Sequence, residues 1–358
     1  MSIEFQSVSS DVKDTSVVIV IVNFRTPHDT CKALESLVAE AAGVPKVRVI
    51  VTDNQSGDDS TEIISGAIQS NQWSDWVQLM PLQRNGGFAY GNNEAIRVAL
   101  RNDNRPDYIM LLNPDTIVEP HAIKRLVEFL NANQDYGIAG ANVFLANGSP
   151  QVAARRLPQP ISEFEEQIRT GVFSRLLQNY RVTLSIHPEQ PTDCEWVSGA
   201  AMMIRSSLFE QIGLIDEGYF LYFEEVDFCA RAKKIGCKVA VVPDSRIIHL
   251  EGASTQISNT KKRRGKYWYE SRRRYFVKHF GLLGLLRADF CWSLGRTLGK
   301  LIDLLRVKSS YQSDPARFTS DLLLGDLKAI LCGFAARTAT GKDSRSELSS
   351  PSQFTDIE

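Results

Sequence analysis

Glu224, Glu225 and Asp227 place three carboxylates in four residues, framed by Tyr219, Phe220, Tyr222, Phe223 and Phe228. Carboxylates this close repel one another, and apolar surroundings penalise charge, so at least one should hold its proton unusually tightly. A carboxylate of raised proton affinity suits the removal of a proton from a hydroxyl. A helix start decorated with acids is the competing explanation, since the helix dipole favours them. A second group pairs Asp115, which follows the turn-forming Asn113-Pro114, with His249, which closes Ile247-Ile248. Both are candidate metal ligands; an Asx-turn and a structural histidine fit the same positions. Asp53 and Asn54 end VRVIVTDN, where the carboxylate suits a base or ribose, or caps a loop. Asn85-Gly86-Gly87, with Asn92 in the helix behind it, joins a tight turn to a helix start whose amides suit an anion; an ordinary turn reads the same. Trp196 and Gly199 suit an acceptor wall with close backbone approach, or a packed core pair.

The flanking sequence says what positions these residues. SVVIVIVN, Ser16 to Asn23, is a continuous β-branched run of the kind buried on both faces of a parallel sheet. Thr26-Pro27 reads as the cap and first position of a helix to about Ala41. Val47 to Asn54, Val77 to Leu82 and Tyr108 to Asp115 read as further strands. Helices are expected through Asn92 to Leu100 and over Pro120 to Asn131. Strand alternating with helix predicts an α/β fold built on a right-handed, doubly wound, mostly parallel sheet. Ligands bind beyond the carboxyl ends of such strands, and those ends carry Asn23, Asp53 and Asp115.

Later in the chain, Ala139 to Leu145 predicts a strand and Ile161 to Gln178 an amphipathic helix. Trp196 to Arg205 returns to the core, and Lys238 to Leu250 predicts a late strand. Between Lys261 and Lys278 nine Lys/Arg alternate with Tyr267, Trp268, Tyr269, Tyr275 and Phe276. That mixture suits anionic headgroups or a lipid diphosphate; a solvated basic helix has the same composition. Two helical segments are expected next, divided near Ser309 to Pro315. The expected regions are a flexible N-terminus (1–15), an α/β domain (16–260, with halves 16–135 and 136–260), a basic and helical C-terminal extension (261–340) and a disordered polar tail (341–358).

Composition excludes several classes. A formal net charge of -1 gives no global case for a nucleic-acid partner. Six scattered cysteines without a C-x-x-C pair suggest neither a zinc knuckle nor a disulfide framework. The polar N-terminus is no secretory signal, and the most apolar stretch, Leu282 to Leu305, is interrupted by five charges. The expected location is cytoplasmic, with peripheral contact at the inner face of the plasma membrane through 261–306. Neither G-x-G-x-x-G nor a P-loop lysine follows the first strand, so a diphosphate ligand would call for a divalent metal.

The ordered set VVIVIVNF, VIVTDNQSGD, NGGFAYGNN, LLNPDT, WVSGAAMMIR, FLYFEEVDFCAR and VVPDSRIIHLEGAST resembles the family 2 glycosyltransferases of GT-A fold, especially the bacterial rhamnosyltransferase-like subgroup. The resemblance implies a GT-A core over roughly residues 16 to 280 and inverting transfer of a sugar, such as L-rhamnose from dTDP-rhamnose. The implied acceptor is a hydroxyl of a lipid-linked or polysaccharide glycan, and the implied cofactor is Mg2+ or Mn2+. UDP- or GDP-sugar transfer and a non-catalytic sugar-nucleotide-binding or glycan-binding protein are the alternatives. Asp53 matches the nucleobase-contacting aspartate, and Asp115 the last carboxylate of D-x-D, whose first position is Asn113. His249 matches a metal-ligand histidine, and Glu225 the base, where the family usually has Asp. Asn23, Asn54, Asn85, Gly86, Gly87 and Asn92 complete the implied donor site, and Trp196 and Gly199 the acceptor site. Subunit pairing through the C-terminal helices is a further expectation.

Overall fold

SVVIVIVN lacks period-two alternation, and the strand it forms, β1 (Ser16–Asn23), is covered on both faces. The structure, a computed structural model, describes residues 15–43, 46–101, 105–168, 171–187, 189–250, 263–304 and 315–340. The expected flexible start, the 341–358 tail, Lys261-Lys262, Asp314 and the EGAST end of the last motif lie outside the described residues. After β1 come α1 (Pro27–Gly43), β2 (Lys46–Asp53), α2 (Ser60–Ser70), β3 (Val77–Pro81), α3 (Gly87–Arg101) and β4 (Tyr108–Leu112). The four strands are parallel in the order β3-β2-β1-β4. Asn23 is in register with Asp53, and Asp53 with Pro81, so the carboxyl ends of three strands finish level.

The fourth strand stops at Leu112, short of the expected Asp115. Pro114 has no N–H to offer a ladder, and the chain restarts as β5 (Thr116–Val118) at the far end of the sheet. Then follow α4 (Ala122–Ala132), β6 (Tyr136–Leu145), β7 (Ala154–Arg155), α5 (Pro160–Ile168), α6 (Gly171–Leu176), β8 (Thr192–Cys194), β9 (Trp196–Val197), β10 (Ala201–Arg205), α7 (Ser206–Ile212), α8 (Glu224–Lys234) and β11 (Lys238–His249). The single long helix expected over Ile161 to Gln178 is two short ones, α5 and α6.

The expected mostly parallel sheet is found, with β6 and β11 also parallel, but antiparallel strands are inserted in its second half. Beyond β4 the order is β10-β6-β11-β5, and β10 runs antiparallel to both β4 and β6. Strands β5 and β8 are antiparallel to β11. The small pair β7-β9 lies off this sheet. One side of the main sheet is packed by a cluster including Leu34, Ile64, Leu126 and Leu130, the other by Ile96, Phe209, Phe228 and Phe276.

Two long helices, α9 (Lys266–Leu304) and α10 (Phe318–Thr340), complete the described chain. Gly281 breaks α9 with φ 70°. The basic-aromatic stretch, expected at the surface, is turned inward: Tyr269, Arg272, Tyr275 and Phe276 are buried. Arg272 is 1% exposed and donates to Glu163 (3.0 Å) and Asp289 (2.8 Å), with Asp326 at 3.4 Å. One guanidinium therefore ties α5, both halves of α9 and α10. Burying so many carboxylates around it satisfies charges that would otherwise be prohibitive. No helix among the described residues is long and apolar enough to cross a membrane.

Candidate active site

Parallel pairing brings Asn23 and Asp53 side by side, and their side chains lock together. Asn23 Nδ2 donates to Asp53 Oδ1 at 2.7 Å, Ser56 Oγ donates to Asp53 Oδ1 at 2.6 Å, and the Ser56 amide donates to Asp53 Oδ2 at 3.0 Å. Thr30 Oγ1 donates to Asn23 Oδ1 at 2.9 Å. Asn23 is wholly buried and fixes Asp53 Oδ1. Asn54 Nδ2 donates to Asn85 Oδ1 (2.9 Å) and to the Gly87 carbonyl (3.1 Å), clasping the second strand end to the glycine turn.

The turn is anchored again from the other side. The Phe88 amide donates to the Phe220 carbonyl at 2.7 Å, and Gly87 has φ 85°. A side chain at Gly87 would collide with that same carbonyl, so this contact requires glycine. Asn92 is fully buried: its Nδ2 donates to the Phe88 carbonyl at 2.8 Å and its Oδ1 has no hydrogen-bond partner among the described residues. Its neighbour Asn93, the last residue of NGGFAYGNN, joins α3 to the loop before α8 through Ile215 and Glu217.

Where β4 ends and β11 pairs with β5, Asp115 and His249 meet. His249 Nε2 lies 3.1 Å from Asp115 Oδ1 and 3.4 Å from Asn113 Nδ2, and its Nδ1 lies 3.2 Å from Gln151 Oε1. Gln151 orients the ring from behind, as an outer partner orients a ligating imidazole. Asp115 is 7% exposed. This donor set, one carboxylate and one imidazole, fits a divalent cation. Among the described residues no third His, Cys, Asp or Glu joins them, so a bound ion would take its remaining ligands from water or an oxyanion.

The acidic segment is presented by strained backbone. Tyr222 and Phe223 both occupy the left-handed region, at φ 67° and 68°, directly before α8. Such strain in bulky residues persists only where surrounding structure imposes it. Glu224 is 4% exposed, and the Oε2 atoms of Glu224 and Glu225 are buried without a hydrogen-bond partner. Burial raises the proton affinity of both; the neighbouring Glu225 charge raises Glu224 further, and Arg155 partly offsets the rise at Glu225. Asp227 behaves oppositely. It is wholly buried, yet His279 (2.8 Å), Lys278 (2.8 Å) and Arg231 (2.8 Å) hold it well below the usual carboxylate range. A carboxylate so paired is a poor proton acceptor, and Asp227 instead joins α8 to α9.

Arg155, which the sequence did not single out, stands over the Trp196 ring at 4.8 Å. Trp196 itself is buried, its Nε1 donating to the Arg156 carbonyl at 2.9 Å, so it supports the arginine and is not an open wall. Pairing of β7 with β9 places the two in register. Gly199 is the junction: a Cβ there would lie 3.4 Å from Phe88 and 3.9 Å from the Glu225 Cβ. On the same loop, the Ala200 carbonyl accepts from the Asn113 amide at 3.0 Å. The glycine turn, the Asp115 strand end and Glu225 therefore border one short loop, 198–200.

Comparison with known proteins agrees with this architecture. Among solved structures, GalNAc-T7 with UDP, GalNAc and Mn2+ aligns over 88% of this chain and 58% of its own, with TM-score 0.53 and 14% identity. The mannosyltransferase PcManGT from Pyrobaculum calidifontis, with GDP-Man and Mn2+, aligns over 91% and 81%, with TM-score 0.52 and 12% identity. At these identities the likeness speaks to fold, which is GT-A. The low-salt glycan biosynthesis hexosyltransferase Agl10 of Haloferax volcanii is 29% identical over 60% of this chain, which spans 61% of that relative. The rhamnosyltransferase WbbL of Escherichia coli K12 is 27% identical over 65% of this chain and 83% of its own. The N-acetylglucosaminyl-diphospho-decaprenol L-rhamnosyltransferase of Mycobacterium tuberculosis is 28% identical over 58% and 68%. The family model described as glycosyltransferase like family 2 matches residues 14–268, and the chain belongs to that family.

Proposed function

We propose that the chain is a metal-dependent, inverting glycosyltransferase that moves L-rhamnose from dTDP-rhamnose to a hydroxyl of a lipid-linked glycan in cell-surface glycan synthesis. The observations that support the reading are the Asp115–His249 pair, 3.1 Å apart, and the 198–200 loop, whose Gly199 lies beside the Glu225 Cβ and whose Ala200 carbonyl accepts from the amide of Asn113, two residues before Asp115. The rhamnosyl donor and lipid-linked acceptor are supported by the printed activities of the curated relatives.

Asp53, its two oxygens fixed by Asn23 and Ser56, is placed to accept from the nucleoside. The clasp of Asn54, Asn85 and Gly87 shapes the turn along the donor. A divalent ion on Asp115 and His249 would offset the charge that builds on the departing diphosphate. Glu225 takes the proton from the acceptor hydroxyl. That oxygen bonds to the anomeric carbon as the bond from carbon to diphosphate oxygen breaks on the opposite face. A single displacement inverts the configuration. Glu225 is preferred to Glu224 because its Cβ lies beside Gly199 of the 198–200 loop and the Arg155 charge acts on its carboxyl.

The test uses purified protein with dTDP-rhamnose and either Mn2+ or Mg2+. Metal-dependent donor hydrolysis or transfer should be lost in Asp115→Ala. Glu225→Gln should bind donor normally by calorimetry yet turn over about 10²–10⁴-fold more slowly. Unchanged turnover in both variants rejects the reading.

A further inference from the structure

The exposed surface of the C-terminal helices has an unusual composition. Between Leu282 and Leu304 the exposed positions hold seven large apolar residues, Arg287, Lys300 and Thr297, and no acid. Leu282, Leu286, Phe290 and Leu294 recur every fourth residue, and Leu301 and Leu304 continue the same side two turns on. That spacing makes one stripe. Phe290 is 65% exposed and Leu304 80%. The two acids of this half lie off the stripe: Asp289 pairs inward with Arg272, and Asp303 is only half-exposed.

Helix α10 repeats the pattern. Leu324, Leu327 and Leu331 are exposed beside Lys328, and Asp321 and Asp326 are drawn inward to Arg263 and Arg272–Arg273. The opposite face of α9 is fixed to the domain. Gly295 lies against the Phe164 backbone of α5, where a side chain would not fit, and Trp292 packs with Phe318. The stripe therefore faces outward because the small and aromatic residues hold the other side.

Stripes of exposed large apolar residues on two helices of one extension mark an interaction site. Its chemistry selects the occupant. A leucine and phenylalanine stripe edged by long cationic side chains, with the acids withdrawn, complements an anionic bilayer: the apolar groups enter the acyl boundary and the cations reach the headgroups. We propose that the outer faces of α9 beyond Gly281 and of α10 form a seat on an anionic lipid surface. The basic stretch before Gly281, which by composition alone suits headgroups, is instead largely committed to internal ion pairs. The seat goes beyond the transferase reading and needs no part of its chemistry; with a lipid-linked acceptor it would bring the site to the substrate's own membrane.

The experiment is co-sedimentation of the full chain with vesicles of phosphatidylcholine alone or mixed with phosphatidylglycerol. Binding should require the anionic lipid and weaken with salt. Phe290→Ser combined with Leu294→Ser should reduce partition about tenfold or more. Arg287→Glu combined with Lys300→Glu should abolish the preference for anionic vesicles. Soluble donor hydrolysis should persist in both variants, which separates failure of the seat from failure of the transferase reading. The proposal is overturned by vesicle binding that neither variant changes, by no vesicle binding at all, or by a dimer in light scattering that Phe290→Ser with Leu294→Ser dissociates.

Discussion

A guanidinium beside a carboxylate favours its charged form, and Arg155 does this for Glu225 from its platform on Trp196. Burial still leaves Glu225 holding its proton above the ordinary carboxylate range. A base must be ionised to act, so under the proposed role of Glu225 activity should climb with pH through that elevated point. Removing the cation raises proton affinity further. Arg155→Gln should therefore shift the acid limb of the kcat/KM profile to higher pH, and Arg155→Lys should restore much of it. A profile in Arg155→Gln identical to the parent's would remove the arginine from the site. The placement of Asp53 and Asp115 was legible in the sequence because each follows an apolar strand and must emerge at its end. Arg155 was not, since it meets Trp196 only when β7 pairs with β9. Nor were the ion pairs of Asp227 with Lys278 and His279, which lie on another helix; only its partner Arg231, four residues on, is local. Without them, three clustered acids looked alike.

At the level of elements, the site depends on two backbone contacts between loops, the Phe88 amide on the Phe220 carbonyl and the Asn113 amide on the Ala200 carbonyl. Gly87, at φ 85° under the Phe220 carbonyl, brings the glycine turn to the strained Tyr222-Phe223 entry of α8. Gly87→Ala combines a disfavoured dihedral with a steric clash and should cost about 2–5 kcal/mol. Urea unfolding at neutral pH measures this, and a loss below about 0.5 kcal/mol would show that the turn yields freely. The parallel strands β1 to β4 were readable because burial on both faces leaves near-continuous apolar runs. The reversal at β10 was not, because AMMIR reads equally well in either direction. The early stop of β4 was visible in Pro114, yet the strength of YIMLL carried the expected strand past it.

Across the whole molecule, the C-terminal helices are fastened by one buried cation. Arg272 faces Glu163, Asp289 and Asp326, and removing it takes the cation from Glu163 and Asp289 while Asp326 keeps Arg273. Arg272→Ala should lower stability by about 3–5 kcal/mol in chemical denaturation; a change under about 1 kcal/mol would mean that α10 contributes little to the fold. Seven ordered motifs made the family legible, and the family model bears that out. Which side of the extension faces outward was hidden, because a basic, aromatic segment has the same composition whether its charges meet solvent or carboxylates.

The reversed strand also bears on biosynthesis. Ala201–Arg205 fills the gap between β4 and β6, two strands that leave the ribosome well before it. Until then the nascent sheet carries bare hydrogen-bonding edges on apolar strands, a template for wrong partners. Polypeptides truncated ahead of Ala201 should accordingly precipitate in cell-free translation unless a chaperone shields them, whereas release after β11 allows every inner edge to close.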